Sequence, residues 1–315
     1  MRFQALAEFG RGSAAQPQSC LGINQLSFIE TVTQRINRRE RQRERTLPRR
    51  DIFIWAAVIL FLNQLFDAIK EMPTASLEAL VTEVCAIGIF QYMAWYVIFR
   101  LLGSSDRAPA ARSRDLLVIG ALCLPLFLPT SRMIWVAATG IAIYLWLCSA
   151  GDLKLRAAGI VLAALSVQEL WGHLFFQLVS FPLLRAETAI VGTMLEAVRP
   201  GTVWQDNAII APNGYGIVII GNCSSFHNLS LAMLCWLTVG KLCNQSWRVR
   251  DFVIGGAVGG TMILFNIARL CFTGWNINLY HFWHDGIGAE IFAIGASLTI
   301  LLISLYGARP AKRLT

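Results

Sequence analysis

Eight apolar runs, each long enough or nearly long enough to cross a bilayer as a helix, constrain this chain more than any motif does. A spanning helix takes roughly 17 to 25 predominantly apolar residues, because nothing in the hydrocarbon can satisfy its backbone from outside. The runs cover 52–68, 78–100, 116–130, 133–149, 157–182, 223–243, 252–272 and 284–307. The third and fourth are short and only Pro129, Thr130, Ser131 and Arg132 separate them, so they read as a tight helical hairpin. With 56% hydrophobic and 15% charged residues, an ordinary soluble domain is excluded. The predicted fold class is an all-α polytopic membrane protein of about eight transmembrane helices, with a small extracytoplasmic β-hairpin before the sixth.

A formal net charge of +8 would suit nucleic acid in a soluble protein, but in a membrane protein the placement of Lys and Arg sets orientation. Putting both ends in the cytoplasm leaves twenty-two of the 27 basic residues inside and only Lys70, Arg132, Arg185 and Arg199 outside, with Arg269 within a helix. The expected layout is a basic cytoplasmic arm over 1–50, a transmembrane domain over 51–308 with an extracytoplasmic segment at 183–222, and a cytoplasmic tail at 309–315. No nucleic-acid partner is expected. In the arm, Ile23, Leu26, Ile29, Val32 and Ile36 recur at near-helical spacing ahead of Arg38, Arg39, Arg41, Arg43 and Arg45. That pattern suits an amphipathic helix on anionic membrane lipid, and equally a solvated disordered arm. The first fifty residues lack the apolar core of a cleavable signal peptide.

The extracytoplasmic segment opens with an apolar helical stretch, Ala186 to Val198, expected to lie at the interface. Thr202 to Ala211 and Tyr215 to Ile220 are rich in Val and Ile, and Pro212, Asn213 and Gly214 between them form turns, so the region reads as a β-hairpin. Its second strand runs into Gly221, Asn222 and Cys223 at the start of the sixth span.

Cys223 is expected in the first turn of that helix with Asn222 as N-cap, where unpaired N–H groups favour an anion and hence the thiolate. Arg269 lies near the outer end of the seventh span. Facing lipid would cost it about 2.5 to 3.5 kcal/mol, so it should face protein or water, and Asn266 one turn deeper extends a polar stripe on the same face. Arg stays protonated at any working pH, which leaves it an electrostatic role. His284 opens the eighth span, and a neutral imidazole there can take a thiol proton and return it to a leaving amine. His281 shares its face one turn earlier. Asp285 is adjacent in sequence, but the 100° step of a helix argues against its pairing with His284. Singly each residue has a bland reading: a small buried cysteine, a snorkelling arginine, an interfacial histidine. Together, at one membrane face, they fit nucleophile, oxyanion stabiliser and base.

Other polar residues are weaker candidates. Glu169 and His173, four apart, are read as a mutual hydrogen bond bracing the bundle. His227, one turn below Cys223, is an alternative base, and Cys271 a rival nucleophile without a helix N-terminus beside it. Glu169, His173 and His227 lack metal-ligand spacing and no C-x-x-C pattern occurs, so no metal or other cofactor is expected.

Gly221-Asn222-Cys223-Ser224-Ser225 after a β-segment, then Asn266-Ile267-Ala268-Arg269, then His284-Asp285-Gly286-Ile287-Gly288, resemble the motifs of the exosortase/archaeosortase family of membrane transpeptidases. The resemblance covers 183–300 in its motifs and 50–182 in hydrophobic pattern alone. It implies that Cys223, Arg269 and His284 are the catalytic Cys, Arg and His, inside intact N-x-x-R and H-x-x-x-G contexts, with Ser225 where the family commonly has glycine. It further implies a cysteine protease or transpeptidase of the cell membrane, the inner membrane in a Gram-negative cell. Its partners would be exported proteins whose C-terminal sorting signal combines a short motif, a transmembrane helix and a basic end, cut at the outer face. The alternative class is a transporter or channel with Glu169, His173 and Arg269 along a polar path; a third is a scaffold subunit of an envelope assembly.

Overall fold

The computed structural model describes residues 48–70, 88–105, 110–127, 132–244 and 246–309, without the side chains of Ala68, Lys70, Leu126, Phe127, Asn222 and His227. The expected amphipathic arm lies outside the described residues. Of the described residues 82% are helical, which makes the fold all-α apart from one small sheet. The helices are α1 (Arg49–Lys70), α2 (Ile89–Gly103), α3 (Ser113–Cys123), α4 (Met133–Cys148), α5 (Leu153–Ser166), α6 (Gly172–Val198), α7 (Ser225–Cys243), α8 (Val249–Trp275), the short α9 (Ile277–Tyr280) and α10 (Ile287–Ala308).

Packing is helix on helix: α4 on α5, α2 across α5 and α7, and α7 between α8 and α10. Trp95, Phe53, Leu60, Ile98, Leu162 and Leu165 are fully buried in the main core. Large apolar side chains such as Leu178, Phe252, Leu264 and Leu302 point outward instead, as they do when the outer solvent is lipid. Leu153–Val198, Val249–Trp275 and Ile287–Ala308 are long and apolar enough to cross a membrane, while Ile89–Gly103, Met133–Cys148 and Asn228–Cys243 are apolar but shorter.

The expected break near residue 183 is absent. A π-helical turn, Val167–Trp171, joins α5 to α6 into 46 continuous helical residues. At 1.5 Å per residue this is about 69 Å, roughly twice a bilayer's hydrocarbon thickness. Ala186–Val198 is the far end of this helix and not a separate interfacial one. Pro182 and Arg185 mark a change in hydropathy, not in backbone.

The expected two-stranded hairpin is a three-stranded antiparallel sheet in the order β1 (Val203–Gln205), β2 (Ala208–Ile210), β3 (Gly216–Val218). The stretch read as one strand folds back on itself between Gln205 and Ala208, which pair directly. Asp206 takes a left-handed φ of 51°, which a short polar side chain tolerates, and with Asn207 it closes the two-residue turn. β1 lies flat on α6 because Gly192 has no side chain. A Cβ there would sit 2.3 Å from Trp204 Cδ1. Under the sheet a second, smaller core gathers Val191, Leu195, Ile209, Ile219, Ile267 and Leu270, and Cys223 belongs to it.

At the other end of the bundle Arg49, assigned from sequence to the arm, is the first residue of α1 and buried. Its Nε donates to Asp115 Oδ1 at 3.1 Å and its Nη1 to Cys148 O at 2.8 Å, while Tyr144 Oη donates to Asp115 Oδ1 at 2.5 Å. This network ties α1, α3 and α4 together.

Candidate active site

After β3 the chain makes a 3-10 turn, Gly221–Cys223, closed by the Cys223 N–H donating to Ile220 O at 2.9 Å. Helix α7 then starts at Ser225. Its N-cap is Ser224 and not Asn222: Ser224 has the extended backbone a cap needs (φ −70°, ψ 144°), and its hydroxyl accepts the Phe226 N–H at 3.1 Å. Cys223 therefore sits one residue before the cap, outside the first helical turn where it was expected, and is 8% exposed.

Two buried side chains hold this turn in place. Asn266 Nδ2 donates to Cys223 O at 2.9 Å and to Ser225 Oγ at 3.1 Å, and its Oδ1 accepts from Asn228 Nδ2 at 3.1 Å. Glu187, on α6, accepts the Ser225 N–H on Oε1 at 2.7 Å, which satisfies one of the orphan donors at the start of α7. Glu187 escaped sequence reading; it is one of two carboxylates, with Glu196, in the apolar run Ala186 to Val198, and nothing in the sequence sets it apart. Its Oε2 is buried without a partner among the described residues.

The histidine arrives from the other side. Asn276 caps α9 by accepting the Leu279 N–H at 2.8 Å, and the chain continues into a π-helical turn, His281–Asp285, that ends at Gly286 in extended backbone. Only glycine fits there, since a Cβ would lie 2.7 Å from His281 O. This turn brings His284 Nε2 to 3.5 Å from Cys223 Sγ. On the opposite ring edge, His284 Nδ1 is 2.6 Å from Asp285 Oδ1, and Asp285 Oδ2 is 3.5 Å from His281 Nδ1. Direct pairing of His284 with Asp285 contradicts the expectation drawn from a 100° helical step. The turn is wider than an α-turn, successive side chains diverge less, and the helix stops directly after it.

The electrostatics follow from these contacts. The His284 ring N–H, with His281 adding, holds the exposed Asp285 carboxyl below its ordinary 3.8. Tyr280 stacks on the imidazole, ring centres 4.6 Å apart and 11° from parallel. Burial, reinforced by Asp285 and Cys223, pushes the Tyr280 hydroxyl above its ordinary 10, so it stays protonated at neutral pH.

Arg269, one turn along α8 from Asn266, is half-buried with Cζ 5.5 Å over the Phe292 ring. Its Nε has no hydrogen-bond partner among the described residues, and there it contacts neither Cys223 nor His284 through a hydrogen bond. Cys271 packs against the same small core as Cys223 and is not bridged to it. His227 lies on α7, its side chain outside the described residues.

Glu169 and His173 do not pair with each other. Gln91 Nε2 donates to Glu169 Oε1, and His173 Nε2 lies 3.2 Å from Gln177 Nε2. The π-helical turn at Val167–Trp171 shifts Glu169 out of the α-helical register that an i, i+4 pair requires. Both residues line a cavity of about 320 Å³ that reaches Gly221.

A family model described as transmembrane exosortase matches residues 54–301, more than three quarters of the chain. No curated protein and no solved structure matches it.

Proposed function

This chain belongs to the transmembrane exosortase family, and from that membership and the contacts of Cys223 we propose a membrane-embedded cysteine transpeptidase acting on exported proteins with a C-terminal sorting signal. The observation that carries the reading is the relay from Sγ to Nε2 at 3.5 Å and from Nδ1 to Asp285 at 2.6 Å. With Asp285 ionised, Nδ1 keeps the ring proton and donates it, which leaves Nε2 as the acceptor for the thiol proton.

In the proposed reaction the Cys223 S–H proton passes to Nε2 and the thiolate attacks the scissile carbonyl carbon. The C–N bond then breaks as His284 returns that proton to the departing amine, and the acyl group stays on sulfur as a thioester. Water or an acceptor nucleophile resolves the thioester, giving hydrolysis or transfer. Arg269 is assigned to the developing oxyanion. A guanidinium with a buried, unpaired Nε–H is a donor available to an incoming oxygen. Asn266 and Glu187 are positioning residues that fix the turn bearing Cys223. His281, on the second Asp285 oxygen, steadies the carboxylate.

The topology that goes with this reading has both termini in the cytoplasm and Cys223 at the outer face. The distribution of basic residues supports it. Alkaline phosphatase fused after residue 213 should be active and a fusion at 315 inactive; the reverse pattern would invert the topology.

The reading is tested by replacing Cys223 with Ala and following exported proteins that end in a membrane anchor by immunoblot. Uncleaved precursor should accumulate. Unchanged processing removes Cys223 from the chemistry.

A further inference from the structure

The end of the bundle opposite Cys223 holds a second concave site. There α7 ends, α8 begins and α10 ends, and a cavity of about 350 Å³ opens between them. From Ser225 to Cys243 the helix α7 has 19 residues, about 28 Å of rise, so this cavity lies a membrane's thickness from the thiol.

Four cations, Lys241, Arg248, Arg250 and Arg309, line the cavity with one acid, Asp251. Asp251 is already engaged, its Oδ2 accepting the Arg248 N–H at 2.8 Å. Arg250 Nη2 donates to Gly307 O and Arg309 O, which pins α8 to the end of α10 and fixes that guanidinium at the rim. Lys241 is 2% exposed, and its ammonium sits 3.4 Å from the centre of the Trp247 ring. Its nearby carboxylate is Asp251, which also accepts the Arg248 N–H. Four cations set against one carboxylate leave an excess of positive charge in the cavity that an anion would balance.

The cationic cavity adjoins an apolar one and shares part of its wall. Trp236, Leu237 and Trp247 line both it and a groove of about 690 Å³ along α4, α5 and α7, whose wall includes Ile160, Ala163 and Met233. Trp247 stacks on Phe252 at 5.1 Å where the two meet. A ring of positive charge beside a hydrocarbon-lined trough is complementary to an amphiphile with an anionic head and an apolar chain. The four cations disfavour a basic peptide end by like-charge repulsion.

We propose that this is a binding site for an anionic membrane phospholipid, with its phosphate among Lys241, Arg248, Arg250 and Arg309 and an acyl chain in the groove between α5 and α7. The site stands apart from the Cys223 centre and does not depend on the reaction assigned to it.

The test is native mass spectrometry of the full chain released from detergent, with added phosphatidylglycerol, phosphatidylcholine or inorganic phosphate. One phosphatidylglycerol should be retained at least tenfold more than phosphatidylcholine. Lys241→Met should cut that occupancy at least fivefold, and so should the double variant Arg248→Gln/Arg309→Gln, which alters exposed side chains and leaves the Arg250 hydrogen bonds to α10 in place. Ala163→Phe, which fills the groove, should also cut it at least fivefold. Equal retention of the two lipids would overturn head-group recognition. Full displacement by inorganic phosphate, or indifference to Ala163→Phe, would make the site one for a free anion and overturn the lipid. Loss in Lys241→Met with none in the arginine double variant would trace the effect to a disturbed fold, and also overturn the proposal.

Discussion

His284 Nδ1 and the carboxylate of the very next residue, Asp285, are 2.6 Å apart. The contact fixes which ring nitrogen carries a proton, and so which one faces the Cys223 sulfur. Asp285→Asn should lower processing roughly 10- to 100-fold, less than the ~10²–10⁴ that a general base supplies altogether. The carboxyl is held below its ordinary 3.8, so its contribution is present above that value and lost only as pH falls through the lower one. Between pH 5 and 8 the wild-type profile should carry no limb from Asp285. A pH–rate series on both proteins checks this, and equal turnover of wild type and Asp285→Asn across that range would remove Asp285 from the relay.

Gly286 is where the turn stops, and Gly286→Ala places a Cβ 2.7 Å from His281 O and 3.1 Å from Phe282 O. Both contacts are to backbone, which cannot yield without moving the His281–Asp285 turn. Processing should fall at least tenfold while α10 still inserts. Parallel measurement of turnover and of membrane-extracted protein separates the two, and wild-type turnover would contradict the geometry.

Much of this was legible in the residues themselves. Hydropathy marks helical segments, and the bias of Lys and Arg proposes their orientation, because both depend on summed composition. The approach of His284 to Cys223 was anticipated only as two residues at one membrane face, an argument from topology. Features governed by a single turn were missed. Ser224 displaces Asn222 as cap because backbone conformation, not residue preference, decides which side chain reaches the open N–H groups. Asp206 and Asn207 split a Val- and Ile-rich stretch that reads as one strand. The π-helical turns at Val167–Trp171 and His281–Asp285 each break a 3.6-residue register, separating Glu169 from His173 and joining His284 to Asp285.

Among the described residues Glu187 supplies the only side-chain acceptor of the Ser225 N–H, at 2.7 Å. Removing it in Glu187→Ala leaves that donor buried, at a cost of about 1–3 kcal/mol. Glu187→Gln keeps an oxygen in the same place and should cost less. Thermal unfolding in detergent should rank wild type above Gln above Ala; the reverse order of the two variants would mean that the unpaired Oε2 makes Glu187 a net burden.

Arg49 and Asp115 form a buried pair with side chains 7% and 1% exposed. Breaking it with Arg49→Ala strands a carboxylate among α1, α3 and α4 and should destabilise by about 3–5 kcal/mol, whereas the double variant Arg49→Met/Asp115→Leu should lose less. Denaturation of the three proteins in detergent decides it. Equal losses would show that the pair contributes through volume alone.

The account stands on the sulfur of Cys223 carrying the acyl group. Enzyme quenched in acid during turnover of an anchored exported protein should yield, on peptide mass mapping, an acylated Cys223 that hydroxylamine releases, and His284→Ala should abolish the adduct. An adduct on Cys271 instead, or turnover that persists with Cys223 unmodified, would contradict it.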